Sequence, residues 1–129
     1  MDTPKGSSPE DIKTRKKLIG DFYAQWIANH PDKKIWNKSL GAYIHVKYLS
    51  INETRGHASI SYESTMATMH LTEILQKAIV SKRKPAKAND KNQKAFDEII
   101  FLYYKNICLL VGHQKSTNEY VQYCISAKK

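Results

Sequence analysis

Phe96 to Ser126 reads FDEIIFLYYKNICLLVGHQKSTNEYVQYCIS, and this stretch decides the fold class. It divides into three strand-like runs, Phe96 to Tyr104, Ile107 to Gly112 and Glu119 to Ser126, each rich in β-branched and aromatic residues. Lys105-Asn106 is short enough for a tight hairpin, and asparagine tolerates the positive φ such turns need. Gln114 to Asn118 is a longer polar loop. The three runs therefore predict an antiparallel meander. In the third run Tyr120, Gln122 and Cys124 alternate with Val121, Tyr123 and Ile125, so both faces are half apolar and the pattern leaves the buried face open.

Working outward, residues 81–94 hold few apolar side chains and predict a basic loop. Before it, residues 62–80 carry an apolar stripe through Leu71, Ile74, Leu75 and Ala78 at helical spacing, with His70 expected partly buried within it. Ala42 to Ile51 looks like a strand, because Ile44, Val46 and Tyr48 share one parity. At the other end, Ser8 suits a helix N-cap, Pro9 the first helical position, and Glu10 and Asp11 the positive end of the helix dipole. The set 18/19/22/23/26/27 then forms one apolar face, and Pro31 stops the helix near Asn29-His30. Helix, strand, second amphipathic helix and C-terminal meander predict an α+β domain with helices packed on one sheet face. Residues 1–7 read as a flexible tail and residues 8–129 as a single domain with the basic loop at 81–94.

Composition narrows the function classes. The 129 residues suit one domain with a modest core. No apolar run approaches the roughly 18 residues of a membrane span, and residues 1–8 hold no apolar signal segment, so a cytoplasmic protein without membrane contact is expected. Cys108 and Cys124 lack metal-binding spacing and read as reduced packing residues. The formal charge of +9 favours an anionic partner, nucleic acid first. Much of it lies in one segment, where Lys82, Arg83, Lys84, Lys87, Lys91 and Lys94 stand against Asp90 alone. These six are the candidate nucleic-acid-binding residues. A solvated basic connector is the competing reading.

The chemistry-bearing stretch runs from Asn52 to Tyr62, where Arg55, His57, Ser59, Ser61 and Tyr62 fall between the expected strand and helix. No nucleotide-binding glycine loop, HExxH, CxxC or GxSxG is present, so neither a cofactor nor a metal ion is expected. Asp97 and Glu98 are adjacent, and on a regular strand they would point to opposite faces. Metal-free RNA cleavage needs less: a base, an acid and a cation. Histidine titrates near neutrality and arginine can fork onto a phosphate. His57 and Arg55 are the candidate catalytic pair, with His45, Lys47, His113, Tyr103, Tyr104 and Tyr123 as groups the sheet could contribute. Helix capping by the serines is the competing reading for this stretch.

The run SINETRGHASISYESTMATMHLTEILQKAI from Ser50 to Ile79, followed by a variable loop and strands ending near YVQYCIS, resembles the barnase–EndoU–colicin–RelE-like nuclease domains of phages and mobile elements. The chain also resembles short proteins of Bacteroides-type bacteria. The nuclease resemblance covers residues 43–126 and rests on element order, one histidine and the helix pattern. It implies a metal-independent ribonuclease, or an inert relative that only binds, with His57 at the helix-leading position and Arg55 as its cationic neighbour. RNA is favoured over DNA as the partner. Two other readings stand beside it: a non-catalytic nucleic-acid-binding accessory protein of a mobile element, and a protein-binding, inhibitor-type module that uses the eight tyrosines.

Overall fold

The computed structural model describes residues 3–91 and 93–128. The chain begins with α1 (Pro9–Asn29), followed by β1 (Lys34–Asn37) and β2 (Ala42–His45). Three helices follow, α2 (Tyr48–Ala58), α3 (Tyr62–Thr68) and α4 (Leu71–Lys77). The chain then enters β3 (Ile79–Pro85), β4 (Phe96–Tyr104), β5 (Ile107–Gln114) and β6 (Glu119–Ala127). The strands form one sheet in the order β1-β2-β6-β5-β4-β3. All pairs are antiparallel except β2 with β6, where Ile44 and His45 lie beside Tyr120 and Val121. The α+β class and the C-terminal meander agree with the sequence reading. Among the described residues no helix is long and apolar enough to cross a membrane.

The first helix starts where its signals place it. Ser8 Oγ accepts the Asp11 backbone N–H at 3.1 Å, and Pro9 occupies the first turn. Its buried residues Ile19, Tyr23 and Trp26 pack with Leu71, Ile74 and Leu75 of α4 against Ile100, Leu102, Leu109, Val111 and Ile125 of the sheet. A smaller cluster on the other sheet face holds Phe96, Ile99, Val121 and Tyr123, with Leu49 packed against it. Gly112 makes that cluster possible: a Cβ there would lie 2.6 Å from Phe96 ring carbons. Gly112→Ala is expected to displace the ring and cost about 2 kcal/mol, as overpacking does. Urea denaturation followed by circular dichroism checks this, and an unchanged midpoint would refute the close approach.

Four local expectations are corrected. The strand expected over 42–51 ends at His45, and residues 48–58 are helical. The apolar parity does not continue, since Tyr48 is 78% exposed. A different period takes over: Ser50, Thr54 and Ala58, spaced by four, are all buried on one face of α2. The Lys47 backbone N–H donates to Ser50 Oγ at 3.0 Å, which favours the helix start. Arg55 and His57 are therefore helix residues and not loop residues. The helix expected over 62–80 is two short ones, with exposed His70 at the N-cap of α4 and not in its buried stripe. The basic loop at 81–94 is a strand in its first part, because β3 runs to Pro85 along the sheet edge, where lysines keep an open strand from pairing with another chain. In the β4–β5 hairpin the positive φ belongs to Lys105, at 56°, and not to Asn106.

Buried polar groups tie helices to sheet. Tyr23 Oη donates to Gln122 Oε1 at 2.8 Å, and Gln122 Nε2 donates to Thr54 Oγ1 at 2.7 Å. Beyond Val121 the β6 edge has no strand partner among the described residues, and α2 and α3 pack along it. There Ser64 Oγ accepts the Ala127 N–H at 2.9 Å. The turn after β1 also reaches the start of β3, where Ser39 Oγ accepts the Val80 N–H at 2.9 Å. Cys108 and Cys124 are free thiols; burial pushes both up, Cys124 to about 12.

Candidate active site

Strand alternation carries the helix-side face of the sheet past the end of the apolar core. Glu98 lies two residues before core Ile100, His113 two after core Val111, and Arg83 pairs across from Ile100. Glu98 registers with His113, and His113 with Tyr120. Four adjacent strands, β3, β4, β5 and β6, thus each place one functional group on one face.

The groups touch. Arg83 donates to Glu98 Oε1 at 2.7 Å, and the Glu98 and Tyr120 hydrogen bonds hold the guanidinium above its already high range, so it stays charged. The Tyr120 and His113 rings lie 4.9 Å apart. His113 Nδ1 is 2.9 Å from Asp97 Oδ1, and Nε2 is 2.8 Å from Asn118 Oδ1. Burial pulls His113 downward, but hydrogen bonds to Asp97 and Asn118 and the charges of Asp97 and Glu98 outweigh it, so the imidazole sits above its ordinary range. A β-bulge between Phe96 and Glu98 explains the carboxylates. On a regular strand Asp97 and Glu98 would diverge, whereas the extra residue lets both act on His113. A depression of about 280 Å³ opens beside them, lined by Arg83, Lys84, Pro85, Asp97 and Glu98.

A second polar group adjoins at β2. Lys47 Nζ binds both Glu119 and Gln114 Oε1, and His45 Nε2 lies 3.4 Å from Glu119 Oε2. The Lys47 bond, above all, holds the Glu119 carboxyl below its usual range. Burial lowers His45, with Lys47 and Lys34 adding to the effect against Glu119. Of the sheet-borne candidates, His45, Lys47 and His113 are thus gathered at one end of the molecule, whereas Tyr103 and Tyr104 stand at the opposite end of β4 and Tyr123 lies on the other sheet face. The sequence does not point to Tyr120 or Glu98. Their spacing from Val121-Gln122 and Ile100 was visible, but the bulge and the buried face were not.

The candidate pair Arg55 and His57 is not brought together. Two positions apart on α2, they project about 200° from one another around the axis. Arg55 lies against α1: a Cβ on Gly20 would be 3.4 Å from Arg55 Nε, in a groove lined by Lys13, Lys16, Lys17, Asp21 and Arg55. His57 Nε2 lies 3.2 Å from Glu53 Oε2 on the same helix. Glu53 in turn faces Tyr123, whose phenol is pushed up to about 12 by burial and then by that charge. Lys82 and Lys84 project from the face of β3 opposite Arg83, while Lys87, Lys91 and Lys94 are exposed in the connection to β4. Among the described residues no three His, Cys, Asp or Glu side chains form a metal-holding group.

Residues 13–108 match the large polyvalent protein-associated domain 3 family. The chain belongs to this family. The match runs from α1 to the start of β5, so the domain family's matched region holds Arg83 and Glu98 and ends before His113 and Tyr120. No curated protein and no solved structure matches the chain.

Proposed function

We propose that this large polyvalent protein-associated domain is a metal-independent ribonuclease of mobile-element proteins. The observation that carries the reading is the gathering of guanidinium, carboxylate, imidazole and phenol from four adjacent strands on one sheet face. Glu98 takes the proton of a ribose 2′-hydroxyl as its oxygen attacks phosphorus. His113, whose bonds to Asp97 and Asn118 favour its protonated form, gives a proton to the departing 5′-oxygen; Asn118 is an exposed loop residue and yields Nε2 to the substrate. Arg83 neutralises the charge that develops on the phosphoryl oxygens, and Tyr120 braces Arg83. The products are a 2′,3′-cyclic phosphate and a 5′-hydroxyl. His57 and Arg55 lie outside this centre, and Arg55 with Lys13, Lys16 and Lys17 serves as a contact for the RNA backbone.

The test is incubation of single-stranded RNA with the full chain in excess EDTA, with analysis of the new ends. Cyclic phosphate ends are expected, and the all-deoxy strand of the same sequence should survive. RNA that is bound but stays intact would replace this reading with that of a nucleic-acid-binding accessory domain. Neither binding nor cleavage would favour a protein partner.

A further inference from the structure

The other face of the sheet, at the end away from Glu98 and His113, is built differently. Phe101 and Tyr103 project there from β4, and Lys82 pairs across from Phe101. Lys82 Nζ lies 4.6 Å and Lys84 Nζ 5.4 Å from the Phe101 ring centroid. Tyr103 is 43% exposed. It borders a hollow of about 510 Å³ that also takes in Lys105, Asn106, Cys108 and Lys128. The three carboxylates in the sheet, Asp97, Glu98 and Glu119, all sit at its opposite end. Lys82 and Lys128, with Lys105 at the rim, two aromatic rings and no acid therefore share one half-face.

We propose that this half-face binds single-stranded nucleic acid, with bases stacked on Tyr103 and Phe101 and phosphates held by Lys82, Lys105 and Lys128. The charge selects a polyanion, and the exposed ring on a sheet surface selects one whose bases are free to unstack. A duplex hides its base faces, so it would engage the lysines alone. The two lysines over Phe101 hold that ring's face until a base displaces them. This surface does not depend on the cleavage reading, since it uses none of the residues of that centre.

Fluorescence anisotropy with a labelled oligothymidylate of about twelve nucleotides tests it. The deoxy strand lacks the 2′-hydroxyl, so binding is read without cleavage. Single strand is expected to bind more tightly than its duplex and than inorganic polyphosphate. Tyr103→Ala should weaken it about tenfold and Phe101→Ala about as much, while polyphosphate binding stays the same. Tyr103 is exposed, so its variant keeps the fold even if Phe101→Ala does not, and Tyr103→Trp should retain affinity. A 2′-O-methyl oligouridylate bound far more tightly than the deoxy strand would also support the surface and name RNA as its ligand. The proposal is overturned if polyphosphate binds as well as the single strands, or if Tyr103→Ala changes nothing. Self-association lost in Tyr103→Ala, without strand binding, would overturn it in favour of a contact between copies.

Discussion

His113→Ala is expected to reduce metal-independent RNA cleavage by about a thousandfold, the scale of a lost general acid, while leaving RNA affinity within a few-fold. Glu98→Gln should do comparable harm by removing the base and loosening Arg83. Arg83→Lys keeps the charge but loses the fork, and should fall between these variants and the parent chain. The pH profile gives a sharper test. In the proposed reaction cleavage requires Glu98 ionised and His113 protonated, so the alkaline limb is expected to follow His113. Its folded-state position is raised, mainly by Asp97 and Asn118 against the pull of burial, so that limb should lie above the ordinary histidine value of about 6.5. Asp97→Asn should move the limb to lower pH. The stability linkage has the matching sign: protonated His113 stabilises the fold fully below its unfolded value, and the contribution disappears as pH rises through the folded one. A profile of kcat/KM that Asp97→Asn leaves unmoved, or full cleavage by His113→Ala, would remove His113 from the reaction.

Arg15→Ala should be among the most destabilising single changes. Arg15 is fully buried on α1, yet among the described residues its guanidinium meets no carboxylate. It donates instead to four backbone carbonyls: Nε to Ser59 O at 2.8 Å, one terminal nitrogen to Pro4 O at 2.9 Å and Gly6 O at 2.7 Å, and the other to Ile60 O at 3.3 Å. One side chain thereby clamps the segment before α1 to the α2–α3 junction. Its loss leaves a cavity and unpaired carbonyls, a cost of about 3 kcal/mol or more. A fall of roughly 10 °C in melting temperature is expected for a domain of this size. Arg15→Lys should restore only part of it, because an ammonium cannot span carbonyls on two sides. Thermal unfolding followed by circular dichroism measures this. A shift of only a degree or two would show that the clamp is not holding these segments.

Both predictions rest on residues whose roles differ in how far they could be read from the sequence. The turn-and-strand grammar of the meander was plain, because Lys105-Asn106 and the polar run at 114–118 punctuate three β-rich segments. The start of α1 was equally plain from Ser8 and Pro9. Helix α2 was hidden because its buried face is made of Ser50, Thr54 and Ala58, which carry no hydrophobic signal, while Ile44, Val46 and Tyr48 mimic a strand. Strand β3 was hidden for a related reason: a lysine-rich edge strand has the composition of a loop. Arg15 looked like one more cation in a basic helix, and only its surroundings show it to be buried.

The candidate site divides along the same line. Basic charge, His113 and Arg83 could be named from the chain, and so could the suitability of such groups for phosphate chemistry. Their assembly could not, since Arg83 and Tyr120 stand far apart in sequence and meet only because β3 to β6 lie side by side. The bulge at Phe96–Glu98 turned two adjacent carboxylates toward one histidine, while the helical turn of α2 drew Arg55 and His57 apart. What the sequence by itself determined is local: the start of α1, the hairpin turns, the α+β class and the charge. Register, bulge position and the face each side chain occupies were decided by the tertiary structure, because strand pairing and burial depend on partners distant along the chain.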